Sequence, residues 1–258
     1  MIHLKSASEI ETIARGGRVI DALLTELAET IEPGMSTAEV DAFCDTFIRS
    51  HDGAEPAFKG LYGFPGSVCT SMNEEVVHGI PSEDRKLGEG DILSVDVGVK
   101  LDGWCSDSAW TFPVGEVDAH TAELLRITEE ALERAVDAAR LGAHVGDIGA
   151  AVMEVVAGTD FAIIRDLVGH GVGREVHEQP QVPNYGRKGH GALLREGLVI
   201  AIEPMLSAGS PEIRTLDDRW TVVSADGART AHFEHTVAVT SDGPRILTGA
   251  PDTVESAA

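Results

Sequence analysis

Apolar residues recur at helical spacing from about Ser8 to Ile31, with Ile10, Ile13, Ala14, Val19, Leu23, Leu24 and Leu27 along one face. Pro33-Gly34 breaks that segment. Ser36-Thr37-Ala38-Glu39 then carries the Ser-x-x-Glu capping pattern and starts a second helix that reaches Phe47-Ile48. From about Ser67 to Val114 the pattern turns to strands and turns. Residues 120–141 and 147–157 predict two further helices, and strands return from about Phe161. Residues 250–258 are small and polar, and a flexible tail is expected there.

The order helix, helix, strands thus occurs twice. Gly90 of Glu89-Gly90 stands six residues before Asp96, and Gly197 of Glu196-Gly197 stands six before Glu203. Gly34 and Gly142 precede Val40 and Ile148 by the same six, at the starts of two helices. The offsets are 107 and 108 residues, a duplication pattern and not a solenoid. The expectation is a single α+β domain over residues 1–258, with halves of about 7–115 and 120–248. Each half would donate strands to a shared sheet, placing Asp96 and Glu203 at equivalent positions of a site between them.

Composition narrows the class. With 258 residues and 43% apolar content, the chain can bury a substantial core. No stretch has the length of a membrane-spanning helix, and the N-terminus lacks a signal-peptide pattern. Cys44, Cys69 and Cys105 are odd in number and show no Cys-x-x-Cys spacing, which favours reduced thiols in a cytoplasmic protein. The net charge of −23 argues against direct nonspecific nucleic-acid binding, which needs lysine and arginine to displace counterions. A solvated acidic surface that aids solubility is the plainer account.

The candidate chemistry lies in acids that interrupt apolar runs. Ile92-Leu93-Ser94-Val95-Asp96-Val97-Gly98 and Leu198-Val199-Ile200-Ala201-Ile202-Glu203-Pro204-Met205 each place a lone carboxylate inside almost unbroken apolar sequence, where burial is costly without a partner or a cation. A four-residue turn at Lys100-Leu101-Asp102-Gly103 would set Asp96 directly opposite Asp107 on one face, with Cβ atoms about 5 Å apart. No Lys or Arg on that local face would neutralise them. A pair of metal ions about 3.5–4 Å apart would resolve the repulsion and activate a bridging water. Gly169-His170-Gly171 presents an imidazole between glycines that would allow close approach to a ligand. Asp96, Asp107, His170, Glu203 and Glu234 form an oxygen-rich set suited to manganese, iron, cobalt or zinc in a hydrolase. The chain has no HExxH helix, P-loop, serine elbow or dinucleotide fingerprint.

Asn73 to Pro81, the Asp96–Asp107 hairpin, Gly169 to Arg174, His177-Glu178, Ile202 to Met205 and Phe233 to Thr236 occur in an order that resembles the type I methionine aminopeptidases, in a short bacterial form. That resemblance implies a "pita-bread" fold, in which pseudo-twofold units share an antiparallel sheet backed by helices. It implies two divalent ions held by Asp96, Asp107, His170, Glu203 and Glu234, with Asp107 and Glu234 bridging. Hydrolysis would use a metal-bridging hydroxide, Glu203 would relay the proton, and His177 would stabilise the oxyanion. His78 would contact the substrate backbone.

The resemblance also assigns Phe58, Leu61, Phe64, Cys69 and Trp220 to the methionine pocket. Bacterial relatives often carry tyrosines at the positions of Leu61 and Phe64 and a cysteine at that of Phe58. The implied partners are nascent polypeptide N-termini whose second residue is small, with transient ribosome association; a monomer without a membrane partner is expected. The competing readings are a proline-specific peptidase of the same fold and a metal-free binding module that has lost its ligands.

Overall fold

The computed structural model describes residues 2–249 and Pro251, so most of the expected tail lies outside the described residues. The first half contains helices α1 (Ala7–Thr30) and α2 (Thr37–Arg49), then strands β1 (Ala54–Pro56), β2 (Cys69–Met72), β3 (Glu75–Val77), β4 (Ile92–Leu101) and β5 (Trp104–Pro113). The second half opens with helices α3 (Ala119–Ala138) and α4 (Val145–Val156). Strands β6 (Ala162–Ile163), β7 (Gly169–Gly171), β8 (Glu178–Val182), β9 (Val199–Ile202) and β10 (Met205–Ser207) follow. The chain closes through β11 (Ile213–Thr215), β12 (Val222–Ser224), β13 (Thr230–His232), β14 (His235–Thr240) and β15 (Gly243–Ile246).

Local chemistry sets the helix boundaries. Ser6 and Glu9 close a capping box on α1, and Ser36 and Glu39 close the expected one on α2. α4 begins two residues earlier than the apolar pattern suggests, because Asp147 reaches back to accept from the His144 N–H at 2.7 Å.

Every strand pairing among the described residues is antiparallel, and the pairings form four sheets. The two that build the site are β1-β4-β2, with β5 on β4, and β15-β14-β9-β7-β8. α1 packs over β4 and β5, while α3 covers β9, β10, β13 and β15. The main core fills the space between helices and strands with Leu23, Leu24 and Leu27 of α1, Val95, Val97 and Val99 of β4, and Ile200 and Ile202 of β9.

The duplication is written into the hydrogen bonds. Gly34 N–H donates to Leu87 O and Gly142 N–H to Leu194 O, at 2.7 and 2.9 Å. Leu87 N–H donates to Met35 O and Leu194 N–H to Ala143 O, both at 2.8 Å. Isolated bridges join Ser36 to Lys86 and His144 to Leu193. Gly90 and Gly197 take left-handed φ values of 83° and 84° just before β4 and β9. The helix-to-strand joint is therefore the same in both halves.

Candidate metal centre and active site

Strand alternation aims the acids. In β4, Val95, Val97 and Val99 enter the helix-backed core, so Asp96 projects from the opposite face into a cavity. In β5, Trp110 and Phe112 enter that core and Asp107 faces the cavity. The register differs from the expected one. Only Asp102 and Gly103 form the turn, both left-handed at φ 51° and 75°, and Leu101 pairs with Trp104. Asp96 therefore sits opposite Ala109 and Asp107 opposite Gly98. The two acids share a face as diagonal neighbours instead of facing each other directly.

The second half brings in the other groups. Glu203 follows β9, and Asn184 Nδ2 fixes its carbonyl at 2.8 Å. Glu234 lies between β13 and β14, and this segment is laced to β5. Glu234 N–H donates to Ala109 O at 2.9 Å, Ser108 Oγ donates to Glu234 O at 2.6 Å, and Thr236 Oγ1 donates to Asp107 O at 2.7 Å. His170 occupies β7. A Cβ on Gly169 would strike the Ala201 carbonyl, and one on Gly171 the Gln179 carbonyl. The flanking glycines thus let β7 pack closely against its neighbouring strands. The Gly171 carbonyl can only accept, so His170 Nδ1 is the donor across 3.0 Å and Nε2 presents a lone pair.

One ligand atom each from Asp107, His170 and Glu234 lies within 4.8 Å of the others. His170 Nε2 is 3.5 Å from Glu203 Oε1. Among the described residues, buried carboxylate oxygens of Asp96, Asp107 and Glu234 find no hydrogen-bond partner. Burial pushes Asp96 up to about 7. Burial and then the charge of Asp96 push Glu203 to about 8. Asp107 and Glu234 are driven well above the carboxylate range by burial first and by their acidic neighbours second. Burial holds His170 neutral, near 4. Among the described residues, no Lys or Arg lines the cavity to offset this charge. Orphaned acceptors, mutual repulsion and a neutral imidazole are the donor set that a divalent cation completes, so these residues fit a metal centre.

The cavity measures about 280 Å³ and is lined by all five of these residues together with Phe58, Leu61, Phe64, Cys69, Trp220, His78 and His177. Phe64 and Trp220 meet edge to face with centroids 5.2 Å apart. Cys69 pairs with Asp96 across β2 and β4. Burial and the charges of Asp96 and Asp107 raise its thiol well above the usual value, so it remains a neutral apolar wall. His78 holds a left-handed φ of 61°, a strained backbone of the kind concentrated at functional sites. His177 is exposed at the mouth, its ring centroid 4.4 Å from that of His170. Glu178 anchors the His177 loop by accepting from Arg174 N–H and Lys5 Nζ, each at 2.8 Å.

Sequence reasoning missed Tyr62, Val77, Leu167, Val168, Met205 and His232, which also line the cavity. Five of the six are apolar or aromatic and carry no signal in sequence that separates them from ordinary packing residues. His232 stood two residues before Glu234, a same-face spacing that could have revealed it.

The family model of metallopeptidase family M24 matches residues 11–241. A methionine aminopeptidase of Clostridium perfringens is 47% identical over 248 residues, covering 96% of this chain and 99% of that protein. The crystal structure of methionine aminopeptidase from Thermotoga maritima superposes with a TM-score of 0.94 at 44% identity, covering 96% of this chain and 99% of that one. Prolidase from Pyrococcus furiosus is more distant, with a TM-score of 0.77 at 26% identity; 96% of this chain matches 65% of that one. The chain belongs to metallopeptidase family M24, and within it to the methionine aminopeptidases.

Proposed function

We propose that this enzyme removes the N-terminal methionine from nascent polypeptides whose second residue is small. The observation that carries the reading is the convergence of four carboxylates and His170, without a counter-cation, at the base of an apolar cavity. Asp96, Asp107, His170, Glu203 and Glu234 would hold two divalent ions, with Asp107 and Glu234 contributing to both. Manganese, iron, cobalt and zinc all suit that donor set. When bound, the ions supply Lewis acidity, acidifying a water and polarising the scissile carbonyl.

The protein's own groups do the rest. Glu203 accepts the proton of the attacking water and returns it to the leaving amine. His177, at the mouth, donates to the carbonyl oxygen as negative charge develops there. His78 hydrogen-bonds the substrate backbone from its fixed left-handed position. Phe58, Leu61, Phe64, Cys69 and Trp220 receive the unbranched thioether, which packs well against aromatic rings. The catalytic unit is the whole chain as one domain, its halves at about 7–115 and 120–248. It works as a cytoplasmic monomer that meets its substrates transiently at the ribosome.

Competition between peptides tests the reading. A Met-Ala peptide should be cleaved readily and a Met-Ile peptide on the order of a hundredfold more slowly, because a bulky second side chain displaces the carbonyl by about 1 Å. An Xaa-Pro peptide should not be cleaved. Preference for Xaa-Pro would contradict the proposal.

A further inference from the structure

His232 plays no part in the mechanism above, yet its surroundings give it one. It ends β13 and is 2% exposed. A single hydroxyl fixes its backbone on both sides: Thr111 Oγ1 accepts from His232 N–H at 3.0 Å and donates to His232 O at 2.7 Å. The ring stands at the cavity wall, and neither Nδ1 nor Nε2 has a hydrogen-bond partner among the described residues. An imidazole sealed from water normally pairs its nitrogens. Nε2 lies 3.8 Å from Glu203 Oε2 and 3.9 Å from Glu234 Oε2. Those separations exceed a hydrogen bond, which closes at about 2.7–3.2 Å. They match two donor atoms that each sit about 2.0–2.2 Å from a shared ion. His170 shows the same spacing, 3.8 Å to Asp107 Oδ2 and 3.5 Å to Glu203 Oε1. The two imidazoles therefore address different oxygens of Glu203.

We propose that His232 Nε2 is a sixth protein ligand of the metal centre, giving it a second imidazole nitrogen. The proposal rests on the five-ligand reading and deepens it. Two nitrogens beside four carboxylates tilt the site toward iron(II), cobalt(II) or zinc, and away from manganese, relative to a site with one.

Cobalt(II) titrated into metal-free protein is the probe. An imidazole bound through Nε2 keeps its Nδ1–H, which gives a paramagnetically shifted exchangeable proton resonance. The saturated wild-type protein should show two such resonances, from His170 and His232. His232→Gln should show one, and its cobalt dissociation constant should rise on the order of 10- to 100-fold, at least what losing an outer partner of a ligand costs. One resonance in the wild type overturns the proposal, whether or not the variant folds. So does a His232→Gln protein with an unchanged dissociation constant and spectrum. Wild-type protein that binds no cobalt at a site sensitive to Asp107→Ala would overturn the five-ligand reading itself.

Discussion

Asp96 and Glu203 were legible because each interrupts an apolar run, where a carboxylate has few explanations beyond a partner or a cation. Asp107, between two serines, was picked out through its hairpin with Asp96 and Glu234 through its place in the family's motif order, and all four acids face one cavity. His232 was passed over, despite standing two residues before Glu234, because a histidine in a short strand is more often a satisfied core residue. Only the structure shows both its nitrogens unpartnered. His177 is the sharpest single-residue test of the chemistry. Its ring meets that of His170 edge-on, but its loop is held by Glu178 and Lys5, independently of the cavity acids. His177→Ala should therefore lower kcat by two to three orders of magnitude, a loss of about 2.7–4 kcal/mol, while metal affinity stays near wild type. Steady-state kinetics alongside a metal titration checks this, and loss of the ions in the variant would make His177 a ligand.

At the scale of elements, capping boxes and apolar spacing marked the helices well, and the repeated glycine-to-acid spacing marked the duplicated joint. The β4–β5 register was misread for a definite reason. Sliding one strand by two residues keeps every side chain on its face, so alternation alone cannot tell a four-residue turn from the two-residue Asp102-Gly103 turn. The equivalent glycines of the two joints offer a paired test. Both are left-handed, but a Cβ on Gly90 would meet only Glu116 O at 3.5 Å, whereas one on Gly197 would press on Lys5 O at 2.5 Å. Gly90→Ala should cost about 1–2 kcal/mol from backbone strain alone. Gly197→Ala should cost clearly more. Denaturant unfolding of the two variants measures the difference, and equal costs would contradict the packing of the N-terminal segment against the turn that precedes β9.

In the whole molecule, metal, protons and stability are linked. Asp96 and Glu203 are raised from ordinary values of 3.8 and 4.5 to about 7 and about 8. Without metal, the folded protein keeps protons that the unfolded chain releases near those ordinary values. The contribution of these acids to stability is therefore greatest below about pH 4 and falls as pH rises toward 8. Ion binding must displace the same protons, so affinity should climb across that window. Calorimetric metal titrations in two buffers of different ionisation enthalpy should find net proton release at about pH 6.5 and less at about pH 8.5, where Asp96 and Glu203 have largely ionised beforehand. Equal release at both would place the acids' titration elsewhere. On the function proposed above, the four carboxylates and His170 hold the ions on which turnover depends. The most direct measurement is turnover of a Met-Ala peptide as ions are returned to verified metal-free protein, with Asp107→Ala and Glu234→Ala in parallel. Metal-free protein should show no turnover, the wild type should recover as ions are added, and neither variant should recover, though both remain folded. Full turnover by the metal-free protein, or recovery in either variant at saturating metal, would rule out this metal centre.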